Sequence, residues 1–318
     1  MNKKTVRSNS NSAITNLLTQ GAQESDYLPV FYDQVANIMR GFGDAEGKYQ
    51  IKESVIMVEK IVNAQLKGIL QETIDHAFEA TGKLQPRPKD FEFLMRRNPV
   101  KILRLRKYLK DLQFFKKRVR DMLGSRYQNM DDDNLFEQSD EESDLEWSEK
   151  FDEEKTRRIF RADRISQILS AGSQYQEYNE ARRTSFLGRN ANLLKTRMRE
   201  WLKVPAEVVL VPKVLTILAF LAHETIGTIV DYCILSRLNS SNRKQVEPYD
   251  RVTSSGTSFT MLHLCPEVTQ GRGADGVKPI TVQEIKEALR RHSLMASRKM
   301  GMHRSVAVLD QTSPFLAL

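Results

Sequence analysis

His223 and Glu224 stand side by side in the stretch FLAHETIGTIVDY, residues 220–232. The pair opens the H-E-x-x-H zinc motif, in which two imidazoles one helical turn apart hold the metal and the carboxylate acts as general base. Position 227 is glycine, so the second imidazole is missing and zinc chemistry is rejected. His263 and Cys265 lie two residues apart with no companion pair at ligand spacing, and read as a chance pairing. Gly271, Gly273 and Gly276 match the G-x-G-x-x-G fingerprint, but Pro279 stands where a helix should open and no strand-helix-strand unit surrounds them. A loop is the better reading. No Walker lysine, nucleophile elbow or paired-carboxylate site occurs at a convincing position. The expectation is a protein without metal, cofactor, small-molecule substrate or catalytic residues.

The same stretch lies in one of the most apolar segments of the chain, and its charges separate two classes of helix. Val214 to Leu235 has the length of a membrane span, but Glu224 and Asp231 would each cost roughly 2.5 to 3.5 kcal/mol at mid-bilayer, which argues for a protein core instead. The remaining composition agrees. Of 318 residues, 40% are hydrophobic and 28% charged, as in a folded soluble protein of two ordinary domains plus linkers. The N-terminus, MNKKTVRSNSNSAITNLL, has no apolar signal-peptide core and reads as a flexible arm over 1–26. Two cysteines, Cys233 and Cys265, exclude a disulfide framework and fit a reducing compartment. A net charge of +8 points to an acidic partner, either nucleic acid or an acidic protein surface.

Charge is sorted along the chain. Residues 96–126 hold twelve Lys/Arg against two Asp, and residues 131–154 hold thirteen Asp/Glu against one Lys. The acidic block is apolar-poor and self-repelling, so 125–156 is expected to be a disordered linker between two halves, with Ser139 and Ser143 as weak candidate phosphate acceptors. Before it, a short helix in PVFYDQVANIMRGF stops at the glycines at 41 and 43. Val55, Val58, Val62, Leu66 and Ile69 then mark a long amphipathic helix from about 53 to 80. RPKDFEFLMRR is a third helix, with Pro88 suited to its first position, and a fourth follows Asn98-Pro99. After the linker the plan returns: NLLKTRMREWLKV, a long helix from about 212 to 238, and a helix begun by the Thr281/Glu284 capping box. The domains are therefore 27–124, a helical connector 157–188, and 189–296 with an inserted loop at 239–279 that holds one candidate strand, FTMLHL. Residues 297–318 form a tail.

A long helix between two short ones cannot bury its apolar face alone, and two copies can clasp each other. That is the logic of the histone fold. The blocks GDAEGKYQIKESVIMVEKIVNAQL, DFEFLMRR, SAGSQYQEYNEARRTSF, LAFLAHETIGTIVD and ITVQEIKEALRRH together resemble the Spt-three family of transcription initiation proteins, over 28–124 and 157–293. The resemblance implies an all-α fold, two histone folds in one chain forming an intramolecular pair. It also implies a non-catalytic nuclear subunit of the SAGA coactivator that binds the TATA-binding protein for delivery to promoters, alongside other histone-fold and scaffold subunits.

Helical spacing places Lys213, Thr216, Phe220, His223, Glu224, Gly227 and Asp231 on one narrow stripe, with Leu215, Leu218, Ile226, Ile229, Tyr232 and Cys233 around the remainder. Val58, Val62, Leu66, Leu215, Leu218 and Ile229 are the expected pairing core. Two readings of the stripe stay open. It is either an exposed edge of a core helix, with His223 and Asp231 satisfied by neighbours, or a contact surface in which an exposed Phe220 beside Glu224, His223 and Asp231 anchors a partner. By the resemblance that partner is the TATA-binding protein, with Glu224 as the charged contact. Arg104, Lys107, Lys116, Lys117 and Arg118 belong to the densest basic run, which reads as a solvated helix face, a nuclear import signal around KKRVR, a surface onto which the acidic linker folds back, or a DNA-phosphate contact that such self-neutralisation by the thirteen acids would weaken.

Overall fold

The structure is a computed structural model that describes residues 28–44, 50–123, 152–169, 172–186, 191–240, 279–301 and 316–317. All regular structure among these residues is α-helical. The first half comprises α1 (Tyr32–Gly41), α2 (Lys52–Thr81), α3 (Pro88–Met95) and α4 (Pro99–Leu123). Two connecting helices follow, α5 (Glu153–Leu169) and α6 (Ser173–Arg183). The second half comprises α7 (Ala191–Leu202), α8 (Pro212–Ser240) and α9 (Val282–Gly301).

Local chemistry sets the ends of several elements. Pro88 opens α3, where its missing N–H has no intrahelical partner to lose, and the Asp90 carboxylate accepts the Arg87 N–H at 2.7 Å. At the start of α9 the Thr281 N–H donates to Glu284 at 2.8 Å and the Glu284 N–H returns to the Thr281 hydroxyl at 3.3 Å, closing the capping box. After α1 the chain turns at Gly43, whose φ of +107° is open to glycine and strained for other residues. That turn delivers the buried Asp44 to the second half, where Asp44 Oδ1 accepts the Ile280 N–H at 2.7 Å.

Packing crosses between the halves. The long helix α8 packs on α1, α2 and α3 as well as on α7 and α9, and α2 packs on α7 and α9 as well as on α1 and α3. Val58, Val62, Leu66, Leu215, Leu218 and Ile229 are all buried in one continuous hydrophobic core. Polar groups on α2 fasten that core rather than interrupting it. Glu59 accepts the N–H groups of Val30 and Phe31 at 2.8 and 3.1 Å, and the Asn63 amide donates to the Trp201 carbonyl at 2.7 Å. Each buried polar atom in these bonds is thereby spared the cost of lost hydration.

Residues Pro212–Arg237 form a helix long and apolar enough to cross a membrane, yet 89% of its most apolar window is buried inside the protein. Its apolar surface is covered by other helices of this chain.

Three boundaries differ from the sequence reading. The acidic linker was expected to run to 156, but Asp152 is buried and α5 begins at Glu153, because these acids meet arginines described below. The last helix continues to Gly301, past the expected limit at 296. The expected tail also contains Leu316 and Ala317, which are buried in the core. Residues 1–26, the linker over 125–151 and most of the 239–279 insertion, with its candidate strand, lie outside the described residues.

Candidate partner-binding site

The polar stripe of α8 exists as spaced, but most of it is covered rather than open to water. Phe220 is 9% exposed and Glu224 8%, while His223 and Asp231 are half-buried. The expectation of an exposed seam with Phe220 standing out from it is therefore corrected. The Phe220 ring packs against Tyr108 of α4 with centroids 5.2 Å apart. His223 lies 4.9 Å from the ring of Phe42, at the end of α1.

Arginines from two other helices cover the carboxylates. Glu224 Oε2 accepts from Arg104 of α4 at 3.1 Å and from Arg158 of α5 at 3.0 Å. Asp231 accepts from Arg158 Nε and from Arg161 Nη1, each at 2.7 Å. Arg161 also donates to the Phe42 carbonyl at 2.8 Å, which ties the cluster to the end of α1. Arg104 carries a second set of acids from the start of α5: Asp152, through a pair of short bonds, and Glu154 at 3.1 Å. The end of the acidic block is thus pinned to the basic helix by its own counter-charges.

Electrostatics follow from this geometry. Burial alone would raise the Glu224 carboxyl, but the guanidinium groups of Arg158 and Arg104 outweigh it and bring the pKa down to about 2. Burial would lower Arg158, and Glu224 with Asp231 reverse that and hold it firmly cationic. His223 is pushed below its ordinary value first by burial, and Arg158 adds to the effect against the pull of Glu224. At neutral pH the imidazole of His223 is neutral and the Glu224 carboxylate is charged.

Gly227 explains why the zinc motif is broken where it is. A Cβ built there would lie 2.7 Å from Cζ of Phe42 and 3.1 Å from Cζ of Arg158. The missing side chain is the gap through which Phe42 and Arg158 approach α8, and Arg158 lies over the Phe42 ring at 5.0 Å. Among the described residues no group of three or more His, Cys, Asp or Glu could hold a metal ion. Cys233 is buried, and burial pushes its thiol well above the ordinary range, so it is no nucleophile.

The basic run divides. Arg104 is interior, while Lys117 and Arg118 are exposed on the outer half of α4, beside Phe114 and Phe115, which are 66% and 64% exposed. Lys107 is half-buried, and the Lys116 side chain lies outside the described residues. Sequence reasoning missed Arg158, Arg161 and Asp152. The available signal was RRIFRADR, in which Arg157, Arg158, Arg161 and Arg164 recur at helical spacing and match the two-turn spacing of Glu224 and Asp231.

A cavity of about 160 Å³ opens beside this cluster, lined by Arg157, Arg158, Arg161, Asp231 and Tyr232 among others. Arg158, Arg161 and Asp231 are already paired across the seam and Arg157 pairs with Glu153 on its own helix, so the cavity extends the same site.

Comparison with known proteins fits the helical organisation. Residues 29–122, which span α1 to α4, match the family model for Transcription initiation factor IID, 18kD subunit. The SAGA complex subunit Spt3 of Drosophila melanogaster is 49% identical over 285 residues, 90% of this chain and 73% of that protein. An alignment of that extent runs through both helical halves and the connector that supplies Arg158. Both matches are subunits of transcription machinery, and this chain is likewise not an enzyme. The chain belongs to the Spt3 family.

Proposed function

We propose that the chain is a non-catalytic, nuclear subunit of a SAGA-type transcription coactivator that binds the TATA-binding protein and helps deliver it to RNA polymerase II promoters. In this reading α1–α3 and α7–α9 are two histone folds paired within one chain, and other histone-fold and scaffold subunits are its neighbours. The identity to a SAGA subunit across both halves carries the proposal. The single core shared by α2 and α8 supports the internal pairing.

The seam residues divide by role. His223 and Asp231, half-buried, are the members a partner reaches directly. Glu224 and Phe220 are positioning residues. Glu224 holds Arg104 and Arg158, and Phe220 holds Tyr108, so their loss moves the surface that α4 and α5 present.

A second reading rests on the outer half of α4, where exposed Lys117 and Arg118 flank exposed aromatics: direct binding of promoter DNA. Titration of the purified chain against TATA-binding protein and against a promoter duplex, at 50 and 200 mM salt, separates the two. Binding through six or more phosphates loses roughly a thousandfold over that range, whereas a protein contact with an apolar centre loses far less. Salt-tolerant binding to the protein, weakened by His223→Ala and by the isosteric Glu224→Gln with circular dichroism unchanged, is the expected result. Binding to DNA alone, steep in salt and indifferent to both variants, would overturn the proposal in favour of the second reading.

A further inference from the structure

Leu316 and Ala317 are 3% and 1% exposed and belong to the main hydrophobic core, although they lie far along the chain from the helices that hold them. Burial of two apolar side chains would by itself be nonspecific. The main chain of Leu316 is read as well. Its N–H donates to Gln65 Oε1 of α2 at 2.9 Å, and its carbonyl accepts from Lys101 Nζ, in the first turn of α4, at 2.9 Å. Gln65 is 2% exposed and Lys101 6%, so both are interior polar groups directed at a peptide backbone. Leu316 and Ala317 form a turn, and a glutamine acceptor and a lysine donor on the two sides of Leu316 read its peptide backbone whatever the side chain. The enclosed space around Leu316 and Ala317 then selects an apolar residue followed by a small one.

We propose that Gln65, Lys101 and the adjoining core form a docking site for a short peptide turn of leucine followed by a small residue, and that Leu316–Ala317 occupies it as a tethered ligand. The site goes beyond the proposed partner function and does not depend on it. It lies close to the seam, because Lys101 and Arg104 are three residues apart on α4 and Lys101 feels the charges of Glu154 and Glu224. A tether that holds a ligand beside its site gives an effective concentration of order millimolar, so a free peptide competes poorly while the resident segment is docked.

The test uses the full chain and a labelled synthetic peptide of residues 311–318, QTSPFLAL, read by fluorescence anisotropy. Leu316→Asp in the full chain removes the resident side chain from its place without altering the helices that form the site. The expected result is that this variant binds the peptide at least tenfold more tightly than the unaltered chain. A peptide N-methylated at the leucine that corresponds to Leu316 cannot donate to Gln65, and is expected to bind the variant at least tenfold more weakly than the plain peptide. This second comparison changes only the ligand, so it is independent of protein folding. Equal binding by variant and unaltered chain, or equal binding of plain and N-methylated peptides, would overturn the proposal.

Discussion

The two halves of α4 carry the same kind of residue to opposite ends. Near its start, Arg104 is closed in by Asp152, Glu154 and Glu224, while Lys117 and Arg118 stand exposed near its end beside Phe114, Phe115 and Met122. Charge density along a sequence therefore does not distinguish an interior cation from a surface one. The difference is made by what lies opposite. Over the first half, α8 and the start of α5 bring carboxylates to the helix, and they come from residues 48 and 120 positions away along the chain.

The interior cluster is more a device of specificity than a source of net stability. Desolvation of paired charges nearly cancels their attraction, whereas removal of one partner strands the others. On that basis Glu224→Ala has the largest expected effect, a loss of about 3–5 kcal/mol in urea unfolding, because Arg104 and Arg158 keep their burial and lose an acceptor. Acid acts on the same group. With its pKa lowered from 4.5 to about 2, the stability Glu224 contributes is full above the unfolded value and is lost as pH falls through 2.

Asp44 sharpens the contrast between a buried carboxylate with arginine partners and one with little more than a backbone N–H. Burial raises its pKa from 3.8 to about 6, against the lowering effects of the Ile280 N–H and Arg237. The sign is opposite to that of Glu224. Its folded-state pKa lies above the unfolded value, so the native state is favoured below pH 3.8 and loses that advantage as pH rises through 6. Asp44→Asn keeps the acceptor oxygen and removes the charge. It is expected to stabilise the fold at pH 7.5 by about 1–3 kcal/mol and to flatten the melting profile between pH 4 and 6. A destabilised variant with the pH profile intact would show that the charge of Asp44 is satisfied.

The smallest effect belongs to the outer half of α4. Lys117→Glu together with Arg118→Glu should leave Tm unchanged within error, because exposed charges without a fixed partner contribute little to folding. A clear fall in Tm would place these two side chains in an interior network like that of Arg104 and erase the contrast.

Much of the helical order was legible from local signals. The repeat of Val55, Val58, Val62, Leu66 and Ile69 marked α2, Pro88 opened α3, and the Thr281/Glu284 pair opened α9, because each signal acts within a turn or two of chain. The stripe on α8 was legible as a stripe. Its environment was not, since helical periodicity shows which residues share a face and never what covers that face. Arg158 lies 66 residues from Glu224 and Arg161 lies 70 from Asp231, and the charge of α5 was indistinguishable from a solvated helix until those distances closed. Asp152 and Glu153 read as linker in the sequence for the same reason. An acidic run looks self-repelling until an arginine stands opposite its end.

The measurement that bears most directly on the closed seam is a double-mutant cycle between Glu224→Gln and Arg158→Met, read by urea unfolding of the full chain at pH 7. Groups in direct contact in one buried network are expected to couple by about 1–3 kcal/mol. Additive losses, within about 0.5 kcal/mol of the sum of the single variants, would mean that Glu224 faces water rather than Arg158, and would contradict the interior seam.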